Sequence, residues 1–133
     1  MKPVFADTAY YVAFLSATDA HHEAAVDWSN RLLGRIVVTE YVIVELGSAL
    51  SGMSDRVAYS SFVRQLLVDP NTLIIPASGT LFAEGLRLFA GRPDKEWSLV
   101  DCISFVVMKQ RRLRDALSTD QHFNQAGFHA LLR

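Results

Sequence analysis

Four carboxylates, Asp7, Glu45, Asp101 and Asp120, stand inside or against apolar runs: KPVFADTAYYV, YVIVELGSAL, WSLVDCISFVV and DALSTDQHF. A buried carboxylate without compensation is costly. Because the four are spread over the whole chain, the simplest shared compensation is that folding gathers them. A cation then offsets their desolvation and mutual repulsion. Clustered hard oxygen donors suit Mg²⁺ or Mn²⁺, whereas four scattered histidines and a single cysteine argue against zinc. Divalent ions so held activate a water and neutralise the charge that develops as a phosphodiester is cut, so hydrolysis needs no side-chain nucleophile.

Each acid also has a structural reading. Asp7 can cap a helix beginning near Thr8, and Asp120 a short helix beginning at Gln121. Asp101 stands three residues after Ser98, the spacing of a capping box. Glu45 differs: it lies mid-helix, where it cannot cap, and no Lys or Arg stands three or four residues away. It either reaches solvent beside Glu40 and Ser48 or points into a site. His21 and His22 are adjacent, diverge on a helix and read as surface residues; His122 reads as a packing residue in preference to an RNA contact.

The elements that must bring the acids together follow from periodicity and punctuation. Residues 3–6 read as a strand ending in Asp-Thr, with Tyr10, Tyr11, Phe14 and Leu15 at helical spacing behind it. Residues 21–33 put Ala24, Ala25, Trp28 and Leu32 on one helical stripe, stopped by Gly34. A β-branched strand over 36–39 leads through Thr39, an N-cap, into a nearly all-apolar helix over 40–50, and a second helix runs over 54–68. After a turn at 69–71 come a strand over 72–75, a helix over 81–89 closed by Gly91, a loop at 92–94 and a buried helix over 98–112. A strand over 116–118, a short helix over 121–126 and a strand over 128–132 complete the chain. Alternating strands and helices imply βαβ units, hence a three-layer α/β/α sandwich around a mostly parallel sheet. Ligands in such folds bind beyond the carboxyl ends of the strands, where strand order reverses. Asp7 follows the first strand and Asp120 the fourth, so the two meet if those strands are neighbours.

With 133 residues, of which 50% are hydrophobic and 20% charged, the chain suits one domain over 1–133 with its own core. Cys102, the single cysteine, has apolar neighbours and reads as a buried thiol in a reducing setting. Neither a secretory signal nor a membrane span is evident, so a cytoplasmic location is expected. The net charge of −1 is no advertisement for a nucleic-acid partner. However, Lys109, Arg111, Arg112 and Arg114 form a local basic run that offers phosphate contacts or simply decorates a helix C-terminus. Val42, Ile43, Leu50, Val57, Phe62, Leu66 and Leu67 on the helical pair over 40–68 suggest a homodimer face, with ordinary core packing as the alternative.

Four blocks, F-A-D-T-A-Y, T-E-Y-V-I-V-E-L, W-S-L-V-D-C-I-S-F and A-L-S-T-D-Q-H-F, resemble in order and over essentially the whole chain the PIN-domain ribonucleases. More narrowly they resemble the VapC-type toxins of bacterial and archaeal toxin–antitoxin pairs. The resemblance implies a PIN-like fold and a metal-dependent endoribonuclease whose acidic quartet is Asp7, Glu45, Asp101 and Asp120, with Thr8 and Ser118 or Thr119 at the small hydroxyl positions beside it. Asp7, Asp101 and Asp120 are then the Mg²⁺ or Mn²⁺ ligands, and Glu45 binds through water or orients the attacking water. The chain departs from the pattern at Val100, where relatives often carry a Thr. A cognate antitoxin is the implied partner, its peptide lying in the groove near the acids.

Three other readings fit less well. A haloacid-dehalogenase-like phosphotransferase needs a second acid two residues after Asp7, where Ala9 stands. A receiver domain needs an acidic pair near the first strand and a late lysine, neither of which is evident. A non-catalytic PIN-fold module that binds RNA or protein would have no need of an intact quartet.

Overall fold

In the computed structural model, residues 2–32 and 34–133 are described, and the elements run β1 (Val4–Ala6), α1 (Thr8–Leu15), α2 (His22–Arg31), β2 (Ile36–Thr39), α3 (Glu40–Ala49), α4 (Arg56–Val68), β3 (Thr72–Ile75), α5 (Gly79–Gly91), α6 (Leu99–Gln110), β4 (Asp115–Leu117), α7 (Gln121–Gln125) and β5 (His129–Ala130). The five strands form one sheet in the order β3-β2-β1-β4-β5, and every pair is parallel. The chain steps outward from β1 to β3 and then returns to lay β4 on the free side of β1. That return creates the reversal point between β1 and β4 at which ligands of such sheets sit. Right-handed crossovers place α1–α4 on one face of the sheet and α5–α7 on the other.

The strands are short, and the central ones are buried. Phe5, Val38, Leu117 and Ala116 are fully buried, as are Leu46 of α3, Ile103 and Met108 of α6, and Phe123 of α7. Phe105 meets Trp97 and Phe123 edge to face, at 5.1 and 5.0 Å between ring centroids, and Phe123 also meets Phe5 at 6.3 Å. Such contacts add to the burial of the rings. Here they tie the first turn of α7 to α6 and β1, which bear on the acids. On the far side of α6, Gly85 lets α5 approach closely: a Cβ there would fall 2.3 Å from Ile103 Cγ1.

Several boundaries differ from the sequence expectation, each for a local reason. α5 starts at Gly79 because Ser78 caps it, its Oγ accepting the Leu81 N–H at 3.1 Å. β4 ends at Leu117, since Ser118 leaves the ladder and turns its hydroxyl to Asp7. β5 spans only two residues, the last strand having only Asp115 and Ala116 to pair with. α2 ends at Arg31, and Leu33, within the expected helix, lies outside the described residues. The apolar positions of α3 and α4 divide: Val42 and Leu66 are buried, and Ile43, Leu50 and Phe62 pack against the core, so only Val57 and Leu67 of the expected dimer face are exposed. Val44 and Val68 on the same helices and Met53 in the turn between them are exposed as well. No helix among the described residues is long and apolar enough to cross a membrane.

Candidate active site

The site begins with strand pairing. Ala6 of β1 lies beside Leu117 of β4, and the Asp7 N–H still reaches the Leu117 carbonyl at 3.1 Å, so Asp7 and Ser118 leave the sheet together. Ser118 Oγ donates to Asp7 Oδ2 at 2.9 Å and accepts the Asp120 N–H at 3.0 Å. One buried hydroxyl thus fixes both strand-end aspartates. Asp7 occupies the N-cap position of α1, but its side chain does not cap. It is only 4% exposed, and its pKa is pushed up to about 7: burial does most of this and the Asp101 charge next, opposed by the Ser118 hydrogen bond and the Thr8 backbone, with Glu45 adding a little.

The other two acids arrive on helices. Thr39 Oγ1 accepts the Val42 N–H at 3.1 Å and starts α3, which packs on α1 and turns Glu45 inward, where Thr8 Oγ1 donates to Glu45 Oε1. Glu45 is partly buried, so the solvent alternative for it does not hold. Asp101 forms the expected capping box, with Ser98 Oγ accepting the Asp101 N–H and Asp101 Oδ2 accepting the Ser98 N–H, both at 3.0 Å. Asp120 caps α7, its Oδ1 accepting the His122 N–H at 2.9 Å. Capping and site membership are therefore compatible: two of the acids cap with one set of bonds and still face the cleft.

His122 requires a correction. Its ring is not simple packing: Nδ1 lies 3.0 Å from Asp101 Oδ2 and 3.2 Å from Asp120 Oδ2, bridging the two carboxylates. The signal was present in its place on the first turn of the helix that Asp120 starts. Glu96, exposed at the rim, joins the cleft with no sequence signal beyond its nearness to Ser98. Of the small hydroxyls, Thr8 and Ser118 make the contacts described, and Thr119 stands half-buried between Ser118 and Asp120.

The resulting cleft, of about 370 Å³, is lined by Asp7, Thr8, Ala9, Glu45, Glu96, Ser98, Asp101, Asp120 and His122. It gathers all four sequence-predicted acids and holds no Lys or Arg, so no protein cation balances the carboxylates. Ligand atoms of Asp101, Asp120 and His122 lie within 4.8 Å of one another. A hard oxygen set with one imidazole, next to a carboxyl that burial and repulsion drive toward its neutral form, fits a divalent cation. The basic run does not join this cleft. Arg111 and Arg112 line a hollow of about 390 Å³ at the opposite end of the strands, Lys109 lines a groove with Arg92 and Trp97, and Arg114 is exposed just before β4.

Comparison with known proteins shows what the chain and its fold are similar to. The chain is 26% identical over 128 residues to the 23S rRNA-specific endonuclease VapC20 of Mycobacterium tuberculosis, covering 94% of this chain and 95% of that one. The crystal structure of M. tuberculosis VapC20, described as a sarcin-ricin loop cleaving toxin, superposes with a TM-score of 0.86 at 22% identity, over 94% and 95% of the two chains. FitAcB from Neisseria gonorrhoeae shares the fold at a TM-score of 0.69 and 17% identity, over 96% and 94%. The PIN domain model matches residues 4–129, nearly the whole of the strand and helix succession that carries the four acids, and the chain belongs to the PIN domain family.

Proposed function

We propose that the chain is a divalent-metal-dependent endoribonuclease and the toxin of a toxin–antitoxin pair. The observation that carries this reading is the cleft itself, in which five carboxylates converge with no lysine or arginine among them. Asp101, Asp120 and Asp7 are the proposed Mg²⁺ or Mn²⁺ ligands, and His122 is a fourth candidate. A divalent ion bound there supplies a polarised water and charge neutralisation at the phosphate.

The rest falls to the protein. Ser118 holds Asp7 and Asp120 in mutual register. Thr8 occupies Glu45 Oε1 and so leaves Oε2 to orient the attacking water and accept its proton. The water oxygen would form the new P–O bond as one bridging P–O bond breaks, the leaving oxygen taking a proton from solvent and Glu45 returning its proton to solvent. Ser98 and the buried Asp101 anchor the first turn of α6 so that the carboxylate does not move during the reaction.

The likeness to VapC20 supports RNA as the substrate and makes ribosomal RNA the first to test. It also supports a cognate antitoxin, for which an arginine entering the acidic cleft is the natural anchor. We further place a homodimer contact on the exposed apolar side chains of α3 and α4 and the turn between them, Val44, Met53, Val57, Leu67 and Val68. The assignment is tested by incubating the purified protein with ribosomal RNA and Mg²⁺ or Mn²⁺. Discrete cuts that vanish with EDTA and in Asp7→Asn are expected, and tight RNA binding with no cut under any metal would instead indicate a binding module.

A further inference from the structure

Cations gather at the starting end of the sheet, opposite the acidic cleft: Lys2 precedes β1, Arg35 precedes β2, and Arg111 and Arg112 precede β4 at the end of α6, while Asp115, the first residue of β4, lies beside His129 and outside the hollow they form. These four side chains surround a hollow of about 390 Å³ floored by Pro3, Val37, Leu73 and Leu113. None of the 14 acids of the chain lines it. None of the four cations forms an ion pair among the described residues. The helix dipole accounts for cations at the C-terminus of α6, but Lys2 and Arg35 come from two other segments, where no such effect operates.

Arg112 gives a second, independent sign. α6 ends with the Leu113 N–H on the Met108 carbonyl at 2.9 Å and the Arg112 N–H on the Lys109 carbonyl at 3.2 Å, a Schellman arrangement whose left-handed position favours glycine. Arg112 occupies that position at φ 57°. A bulky side chain is thus kept where backbone preference opposes it, and it faces the hollow.

We propose that this hollow is a second site that binds a phosphate-bearing ligand, with Arg35, Arg111, Arg112 and Lys2 taking the phosphate and the apolar floor taking the sugar or base. Guanidinium groups match phosphate oxygens two at a time. The four like charges, gathered without a counter-charge, gain most from a polyanion. Resting on the ribonuclease reading, the favoured source is the RNA substrate's own backbone. Residues 2 and 7 flank β1 and lie about 16 Å apart at strand rise, so a folded RNA reaches from one end of the sheet to the other and a dinucleotide does not. A free nucleotide is the other source of the same chemistry.

The test uses the full chain in EDTA, so that nothing is cut. Anisotropy of a labelled RNA hairpin of about twenty nucleotides is compared for the wild type and Arg35→Gln/Arg111→Gln/Arg112→Gln, and AMP is titrated by NMR against the methyl signals of Val37 and Leu113. The triple variant is expected to bind the hairpin at least about 10-fold more weakly, with the slope of log affinity against log salt reduced by about 2. A smaller loss is expected for a dinucleotide. AMP shifts at both methyls with hairpin affinity unaffected by the variant would assign the site to a free nucleotide, still a phosphate ligand. Hairpin and AMP binding both unchanged in the variant would overturn the proposal, as would polyglutamate binding at these methyls when neither RNA nor AMP binds. Arg112→Gly guards against misfolding: it should melt higher and bind the hairpin more weakly, and unchanged affinity for hairpin and AMP would overturn the proposal. Failure of the wild type to cut RNA with metal would remove the ribonuclease reading, while these binding results would stand.

Discussion

Ser118 and Asp7 are 111 residues apart in sequence, and the Ser118 hydroxyl donates to Asp7 Oδ2 at 2.9 Å in a fully buried contact. Because the same oxygen receives the Asp120 N–H, Ser118→Ala removes support from two acids at once. It should cost about 1–3 kcal/mol of stability by leaving buried groups unpaired. It should also weaken metal binding about 10-fold or more, as loss of a ligand's supporting hydrogen bond does. Calorimetric titration with Mn²⁺ measures the second effect, and Thr119→Ala, which leaves the Ser118 bonds in place, should show much less of either.

Asp7 makes the metal-free protein pH-sensitive. Its pKa is raised from 3.8 to about 7 on folding, so its favourable contribution is complete below the unfolded value and is lost as pH rises through the folded one. Above neutrality it therefore opposes folding, by on the order of 2–4 kcal/mol. In EDTA, Asp7→Asn should melt above the wild type at about pH 8, with the advantage shrinking toward pH 4. Added Mg²⁺ or Mn²⁺ should raise the wild type more than the variant. An Asp7→Asn protein that melts like the wild type in EDTA at every pH would contradict the electrostatic picture of the cleft.

Glu45 is the acid whose role separates most cleanly from folding. Thr8 satisfies one of its oxygens and the residue caps nothing. Glu45→Gln should keep the fold and most of the metal affinity yet lower the cleavage rate about 100-fold or more, the usual scale of losing a positioned base. Thr8→Val should lower the rate less, by releasing Glu45 from its orientation.

His122 provides a direct check of the corrected assignment. Its imidazole bridges Asp101 and Asp120, so His122→Ala should reduce Mn²⁺ affinity by about 10-fold. Were it packing alone, the variant would lose stability and leave Mn²⁺ affinity intact.

The proposed dimer contact would use Val57 and Leu67, which are 79% and 65% exposed. Val57→Asp/Leu67→Asp should leave the melting temperature of the monomer nearly unchanged, since surface changes are small in effect. It should also shift the mass measured by light scattering from dimer to monomer.

The acids themselves were legible because each sits where an apolar run makes its charge anomalous, and because strand-end positions in a parallel sheet share one edge. That β1 and β4 are neighbours is not legible in the sequence, since strand order depends on the long return from β3 to β4. The choice for Asp7, Asp101 and Asp120 between cap and ligand had no single answer, for Asp101 and Asp120 cap while facing the cleft and Asp7 does not cap at all. His122 was missed because its partners are set by the placement of α7 against α6 through Phe105 and Phe123, a packing fact with no sequence period. The basic run is divided by the fold, which contiguity in sequence does not show: α6 ends inside it, so Lys109 lines one hollow and Arg111 and Arg112 another.

The most direct measurement is mapping of 5′ ends after incubating the purified protein with 23S ribosomal RNA, with Mg²⁺ or Mn²⁺ and with EDTA, beside Asp120→Asn and Glu45→Gln. Cuts at discrete positions that need the metal and disappear in both variants are the predicted result. Intact RNA with every metal, or cuts that persist in EDTA and in both variants, would contradict a metal-dependent ribonuclease built on Asp7, Glu45, Asp101 and Asp120.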